Sequence, residues 1–432
     1  MNRRLVRIAL TSASALSLTA CTGPAPNAAA PKPVHTKGQA VTLTWAAPPL
    51  AGSGARQQLI RMFEKTHPHT RVRLVTQTSD WQTDASTLQA QLSRGAKAPD
   101  VFTGPSTWAG NFALRDLAEP LARHMPAGYF MGFASGLTAD TTVHGHVYGA
   151  PLTEDPTVLY YRKDLLGNSH LAVPGTWEQL QHEATVVSRR AQGVQGFVWA
   201  GSPASSLTRT WVEFLADAGG RVYSSSGAPD MDSAAGVRAL TFLRSLITSG
   251  VSPGGVLTQT STGAIASMRA GQAIFLAAPV SAWPRLQAAG ASKVMGRIGV
   301  APLPTFAGRP QPGFSTTGAM DLYLNPHSAH IRQASELIQF LTSTAAMREL
   351  AMRYGQGPTL VAVQRLPAIA RLNPAYATLP AVRLLSLPSQ TPNYAQVEAS
   401  IATRIRAALS GQASVASSLS AANASLAAAR RS

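Results

Sequence analysis

Polar and apolar positions alternate from Val41 to Trp45 in the two-residue period of a half-buried strand. From Ala55 to Lys65 the period lengthens to that of a helix, with Leu59, Ile60, Met62 and Phe63 on its apolar side. Val72–Val75 predicts the next strand, Gln82–Arg94 a helix carrying Leu88 and Leu92, and Pro99–Phe102 a short buried strand. The alternation resumes after Asp155. Val158–Tyr161, Gly196–Trp199, Ile274–Leu276 and Ile298–Val300 read as strands. Thr176–Arg190, Leu207–Ala218, Ser233–Ser249, Ile331–Leu341 and Val397–Leu409 read as helices, the first capped by Thr176 and the third stopped at Gly250. The Ala/Ser-rich tail from 411 to 432 predicts a loosely packed helix. Strands alternating with helices imply βαβ units and a mostly parallel sheet, an α/β fold. Ligands of such sheets sit beyond the carboxyl ends of the strands. That places Trp45, Asp80, Trp81 and the loop 103–108 near one crevice.

The first 40 residues follow a different pattern. Arg3, Arg4 and Arg7 precede an apolar stretch, Ile8–Ala20, that is too short to span a bilayer but suits a secretory signal. It ends in Leu18-Thr19-Ala20-Cys21, which resembles the bacterial lipobox, whose Cys is lipidated and begins the mature chain. The alternative is an unmodified Cys in an ordinary signal. Cys21 is the sole Cys of the chain. Residues 22–40 are Ala- and Pro-rich and read as a tether that, at about 3 Å per residue, reaches up to ~60 Å.

Composition narrows the function classes. The chain has 432 residues, 45% hydrophobic, enough for two or three cored domains and too apolar for disorder. A single Cys leaves neither a disulfide framework nor a Cys-based zinc site. Beyond residue 21 no apolar run reaches the ~18–20 residues of a spanning helix. The net charge is +17, and loss of the signal's three arginines leaves +14. These charges are scattered singly or in pairs such as Arg162-Lys163 and Arg189-Arg190, unlike the concentrated face of a nucleic-acid binder. The surplus reads as a surface poor in carboxylates.

Several segments in order resemble the carbohydrate-binding lipoproteins of bacterial ABC importers, akin to maltose- and trehalose-binding proteins. They are VTLTWAAPPL (41–50), LIRMFEKTHPHTRVRLV (59–75), APDVF (98–102) with Trp108, HVYGAPLTEDPTVLYYRKDLL (146–166) and VPGTWEQL (173–180). GFVWAG (196–201), WVEFLADAGGRVYS (211–224), RAGQAIFLAAPVSAW (269–283), GVAPLPTFAGRPQPGFSTTGAM (299–320) and ASELIQFLTS (334–343) complete the set. The resemblance implies a two-lobe periplasmic-binding-protein fold with three hinge crossings, near 151–156, 277–282 and 318–325. It divides the chain into a signal peptide (1–20), a lipid-anchored tether (21–40), lobe one (41–152 with 280–320) and lobe two (153–279 with 321–432). The sequence departs from the family in three places. Gly104-Pro105-Ser106 stands where an acid often precedes the Trp, Ala278-Pro279-Val280 where Gly-Pro-Trp is usual, and Gly318-Ala319-Met320 where Gly-Gly-Trp is usual.

Sugar sites pair aromatic faces, which cover pyranose C–H patches, with carboxylates and amides that bond hydroxyls. Trp45, Trp81, Trp108, Trp199 and Trp283 are the aromatic candidates, each weighed against plain core packing, whereas Trp177 and Trp211 lie on helices and read as structural. The acids are Asp155 and Glu213, which match a family Asp and Glu, together with Asp321 at the third expected crossing and Asp80. A turn- or helix-capping role is the competing reading for Asp80 and Asp155. His67/His69 and His144/His146 could share a metal but lack completing carboxylates, so no metal and no cofactor is expected. No P-loop, dinucleotide fingerprint or Gly-x-Ser-x-Gly elbow is present.

The resemblance thus implies a monomeric, lipid-anchored, extracytoplasmic component that captures a di- or oligosaccharide and delivers it to an ABC permease, without catalysis. A secreted carbohydrate hydrolase and a non-transport surface lipoprotein are the alternatives. One expectation is testable at once. Cys21→Ser should move the protein from the membrane fraction to the medium; retention at high salt, where adhesion of the basic surface is screened, would refute the anchor.

Overall fold

The computed structural model describes residues 40–49, 54–78, 80–191, 193–389, 391 and 393–429. Cys21, the signal and the tether lie outside these residues. The chain begins with β1 (Val41–Ala47), α1 (Ala55–Thr66), β2 (Thr70–Thr76), α2 (Trp81–Leu92), β3 (Val101–Pro105) and α3 (Trp108–Ala113). A small hairpin, β4 (Thr142–Val143) and β5 (His146–Val147), leads into β6 (Gly149–Thr153). Then come β7 (Thr157–Arg162), α4 (Lys163–Asn168), α5 (Trp177–Arg190), β8 (Gln195–Val198), α6 (Ala204–Asp217), α7 (Ala234–Thr248), α8 (Ser261–Arg269) and β9 (Ala273–Pro279). After these follow α9 (Trp283–Leu286), β10 (Ile298–Ala301), β11 (Phe314–Thr316), β12 (Met320–Leu324), α10 (Ile331–Leu341) and α11 (Thr344–Tyr354). The chain closes with α12 (Val361–Gln364), α13 (Pro367–Leu372), β13 (Arg383–Leu385), α14 (Tyr394–Leu409) and α15 (Val415–Ala429).

Two sheets organise two lobes. The first has strand order β2-β1-β3-β12-β6, and the second β10-β7-β9-β8. In the first, β1 pairs in parallel with β2 and β3, as the βαβ pattern requires, while β12 runs antiparallel between β3 and β6. The apolar stripe of α10, with Ala334, Leu337, Ile338 and Leu341 buried, shares the first core with Leu43, Phe63 and Leu324. The second core gathers Trp177, Phe197, Trp211, Leu243 and Phe275, and α14 and α15 close it with Ile401, Ile405, Leu419 and Leu426. The tail helix is therefore firmly packed, not loose.

The strand order corrects the expected division of the chain. Residues 280–320 stay mostly with the second lobe, because β10 pairs with β7. Residues from 321 return first to the first lobe, because β12 pairs with β3 and β6. The expected crossing at 277–282 is only the end of β9, whose chain continues within the second lobe. The crossings fall at 154–156, between β6 and β7, at 317–319, between β11 and β12, and at 355–360, after α11. Leu350 on α11 belongs to the first core, whereas Ile369 and Tyr376 pack with Val158 and Leu276 of the second sheet.

These crossings touch through backbone. The Glu154 amide donates to the Gly357 carbonyl at 3.0 Å. A Cβ on Gly357 would lie 2.1 Å from the Glu154 carbonyl oxygen, and one on Gly318 would lie 2.4 Å from that of Asp155. Glycine is needed at both places for the three segments to meet. Gly357→Ala should therefore destabilise the fold by about 1–3 kcal/mol in urea unfolding. Gly254→Ala, whose methyl meets nothing within 4 Å, serves as the control. Equal midpoints for the two variants would refute the close-packed hinge.

Candidate functional site

A cavity of about 740 Å³ opens between the lobes. Its first wall is built by the amino-terminal ends of α2 and α3. Asp80 caps α2: one carboxylate oxygen accepts from the Gln82 and Thr83 amides at 3.0 and 3.2 Å, the other from the Thr83 hydroxyl at 3.1 Å. The bonds from Thr83, with that from Gln82, hold the Asp80 carboxyl below its usual range. The cap starts the helix at Trp81, which remains 36% exposed. Trp81 meets Trp108 edge to face, with ring centroids 6.1 Å apart. Gln89 of α2 donates to Asn111 of α3 at 2.9 Å, so two amides flank the indoles.

The second wall comes from α6 and α14, which supply Arg209, Tyr394 and Glu398. The Tyr394 hydroxyl donates to Glu398 at 3.2 Å. Arg209 donates through Nη1 to the Thr317 carbonyl at 2.5 Å, so its guanidinium touches a hinge crossing and the cavity at once. Burial pushes the Glu398 carboxyl up, against the pull of Arg209 and Tyr394. Aromatic faces on one side, with amides, carboxylates and a guanidinium around them, suit a hydroxyl-rich ligand with apolar C–H faces. Among the described residues no group of three or more His, Cys, Asp or Glu could hold a metal.

The structure brings together Asp80, Trp81 and Trp108 from the candidate set. It contradicts four others. Trp45 is fully buried in the first core, its indole N–H on the Thr103 hydroxyl at 2.9 Å. Trp199 is fully buried in the second lobe, its N–H on Ser252 at 3.2 Å. Glu213 is buried and accepts from the Thr316 amide and hydroxyl at 2.9 and 2.8 Å, tying α6 to β11. Asp321 lies wholly inside the first sheet, on β12. Asp155, in the crossing between β6 and β7, and Trp283, at the start of α9, lie outside the cavity lining. Both Asp155 oxygens are engaged by Ser281, the amide at 2.9 Å and the hydroxyl at 2.6 Å, and Trp283 is packed against the second sheet's core.

Sequence reasoning missed Arg209, Tyr394, Glu398, Gln89 and Asn111. A signal existed for α14: an apolar stripe at 397, 401, 405 and 409 leaves 394 and 398 together on its flank, one turn apart. Nothing local marked Arg209, whose charged and aromatic partners in the cavity, Trp81, Tyr394 and Glu398, lie far away in the chain.

A family model of bacterial extracellular solute-binding proteins matches residues 58–381. A probable ABC transporter-binding protein of Deinococcus radiodurans is 28% identical over 313 residues, 69% of this chain and 71% of that one. A mannitol-binding protein of Pseudomonas aeruginosa is 26% identical over 195 residues, 43% of each chain. Among solved structures, maltose-bound MalE3 of T. maritima superimposes with a TM-score of 0.77 at 29% identity, covering 90% of this chain and 99% of that one. The cyclic alpha-maltosyl-1,6-maltose binding protein of Arthrobacter globiformis gives 0.76 at 21% identity, covering 91% and 99%, a likeness of fold.

At the hinge and inside the lobes several carboxyls are pushed up by burial. Glu154 is raised to about 8, Asp217 to about 8 and Glu213 to about 7, while Asp321, also beside Asp140, is raised well above its usual range. A carboxyl whose folded pKa exceeds its unfolded value binds more protons in the folded state, so its contribution is complete below pH ~4 and is lost as pH rises through the folded pKa. The melting midpoint of the free protein should therefore rise on acidification from pH 8.5 to 6. Calorimetric scans check it; a flat or falling midpoint over that window would contradict these burials.

Proposed function

We propose that this protein, which belongs to the bacterial extracellular solute-binding protein family, is the substrate-binding component of an ABC importer that captures a di- or oligosaccharide between its lobes. The observation that carries the reading is the cavity: two indoles on one lobe face an Arg, a Tyr and a Glu on the other across about 740 Å³. Trp81, the exposed indole, stacks on the sugar rings, and Trp108, 7% exposed and stacked on Phe112, backs it. Asp80, Gln89, Asn111, Arg209 and Glu398 bond its hydroxyls. A ligand touching both walls favours the closed arrangement over the open one, shifting a pre-existing equilibrium about the three crossings. The membrane permease then recognises the closed form. Cys21 supplies the lipid anchor at the outer face of the cell membrane, and the chain acts as a monomer.

The mannitol-binding relative raises a polyol as the second reading. The cavity volume favours the larger ligand, since a six-carbon polyol would leave much of it to water. A hydrolase would need two carboxyls placed across one glycosidic bond. The named relatives are binding proteins. Measured turnover of the bound sugar would revive that alternative.

A thermal-shift panel of oligosaccharides, disaccharides and polyols identifies the ligand, because one present at about 100 times its Kd adds about 2.7 kcal/mol. Trp81→Ala should then weaken the best ligand roughly 10- to 100-fold in calorimetric titration, with the free protein's melt nearly unchanged. If no carbohydrate or polyol stabilises the wild type, the import reading fails. If Trp81→Ala binds as well as wild type, the indole wall is misassigned.

A further inference from the structure

Helix α2 has two walls. Trp81, Gln82, Ala85 and Gln89 face the interlobe cavity, whereas Thr83, Asp84, Thr87, Leu88 and Gln91 face a second cavity of about 340 Å³. This second cavity lies wholly within the first lobe, between α2 and the β1–β2 edge of its sheet. Thr44 and Arg73 line it from the strands and Gln77 from the segment that joins β2 to α2.

Its polar atoms are unusual. The side-chain amide of Gln77 is buried at both Nε2 and Oε1, and neither has a hydrogen-bond partner. Asp84 is 5% exposed; its Oδ1 accepts from the Thr78 amide and hydroxyl at 3.0 and 2.9 Å, while its buried Oδ2 has no partner. Buried polar atoms in folded proteins are nearly always paired, with protein, water or a ligand. Here one donor group and two acceptors, with nothing in the chain to satisfy them, belong to two residues that line a single cavity.

We propose that this cavity is a second binding site, for a small neutral polyhydroxylated molecule such as a polyol or monosaccharide, distinct from the interlobe cleft. A hydroxyl both donates and accepts. Vicinal hydroxyls therefore serve Gln77 Oε1 and Asp84 Oδ2 as donors and Gln77 Nε2 as an acceptor. An anionic ligand meets the Asp84 carboxylate, and a cationic one meets Arg73, whose Nη2 donates to Thr44 at 3.0 Å on the opposite wall. Neutrality follows from having both signs at the lining. Occupancy braces the far side of α2 and so fixes the helix that presents Trp81 and Asp80 to the cleft.

The test uses the full chain and ribitol as the probe, followed by saturation-transfer NMR and thermal shift. In Trp81→Ala, where cleft binding is weakened, ribitol binding at the second cavity should persist with its wild-type Kd. Gln77→Leu, which replaces the unpaired amide by an apolar group of similar size, should weaken that binding at least tenfold. Its melt without ligand should be equal to wild type or higher, and the oligosaccharide affinity of its cleft should be unchanged. Should Gln77→Leu fold poorly, Thr87→Phe, at an exposed position on the cavity's rim, blocks the site instead. Loss of all ribitol binding in Trp81→Ala overturns the second site while leaving the cleft reading intact. Undiminished ribitol binding in both Gln77→Leu and Thr87→Phe also overturns it. Tighter binding of alanine or phosphate than of ribitol overturns the neutral, hydroxyl-rich assignment.

Discussion

The carbonyl of Glu154 occupies the space where a side chain at 357 would begin, and the carbonyl of Asp155 does the same opposite 318. Three separate passages of chain meet there, held by the Glu154–Gly357 hydrogen bond and by the absence of any Cβ to force them apart. The two sheets have no strand in common, so their relative placement depends on this junction. Its polar groups are arranged accordingly. Glu154 accepts from Gln364 at 2.6 Å, Asp155 is held by Ser281, and Asp140 accepts from Ser106 at 3.1 Å and from Thr317 of the second crossing. The bonds from Gln364, Ser281 and Thr317 each tie a crossing to one lobe, which restrains the junction against wobble while leaving rotation about its few residues available.

Arg209 connects this junction to the cleft. Burial raises the carboxyls of Asp140, Asp155, Glu213 and Glu398, and the guanidinium's positive charge is among the influences that pull each back down. A single cation thus serves acids on the hinge, on α6 and on the cleft wall. Of the acids kept inside, Glu213, Asp140, Asp155 and Glu154 are hinge and tether groups, engaged by Thr316, Thr317, Ser281 and Gln364, while Glu398 faces the cleft. The scattered arginines noted in the sequence find one specific role here.

The α/β class and the succession of strands and helices were legible because apolar period is a local property. Trp81 and Trp108, which follow strands and begin helices, line the interlobe cavity. Trp45 and Trp199 carried the same signal and proved to be core. A strand's alternation tells that successive side chains point to opposite faces, not which face a helix covers, and Trp45 points into the core that includes α1. The false crossing at 277–282 has a similar cause, since the end of a strand reads alike whether the chain turns within a lobe or leaves it. Asp321 looked like a hinge acid because nothing local shows β12 inserted between β3 and β6. Tyr394 and Glu398 belong to a wall completed by residues more than 180 positions away, a pairing that periodicity cannot carry.

The division of labour between the walls decides what kind of ligand can close the molecule. A ligand shifts an open–closed equilibrium only by its difference in affinity for the two states. One that stacks on Trp81 alone binds both states equally and closes nothing. One long enough to reach Arg209, Tyr394 or Glu398 gains those contacts only when the lobes approach. Length and hydroxyl count, more than stacking, therefore set which bound solute stabilises the closed form. Because Arg209 also donates to the Thr317 carbonyl, a ligand hydroxyl on that guanidinium acts within one side chain of the second crossing. Recognition and hinge position are coupled through that residue by direct contact, with no longer path required.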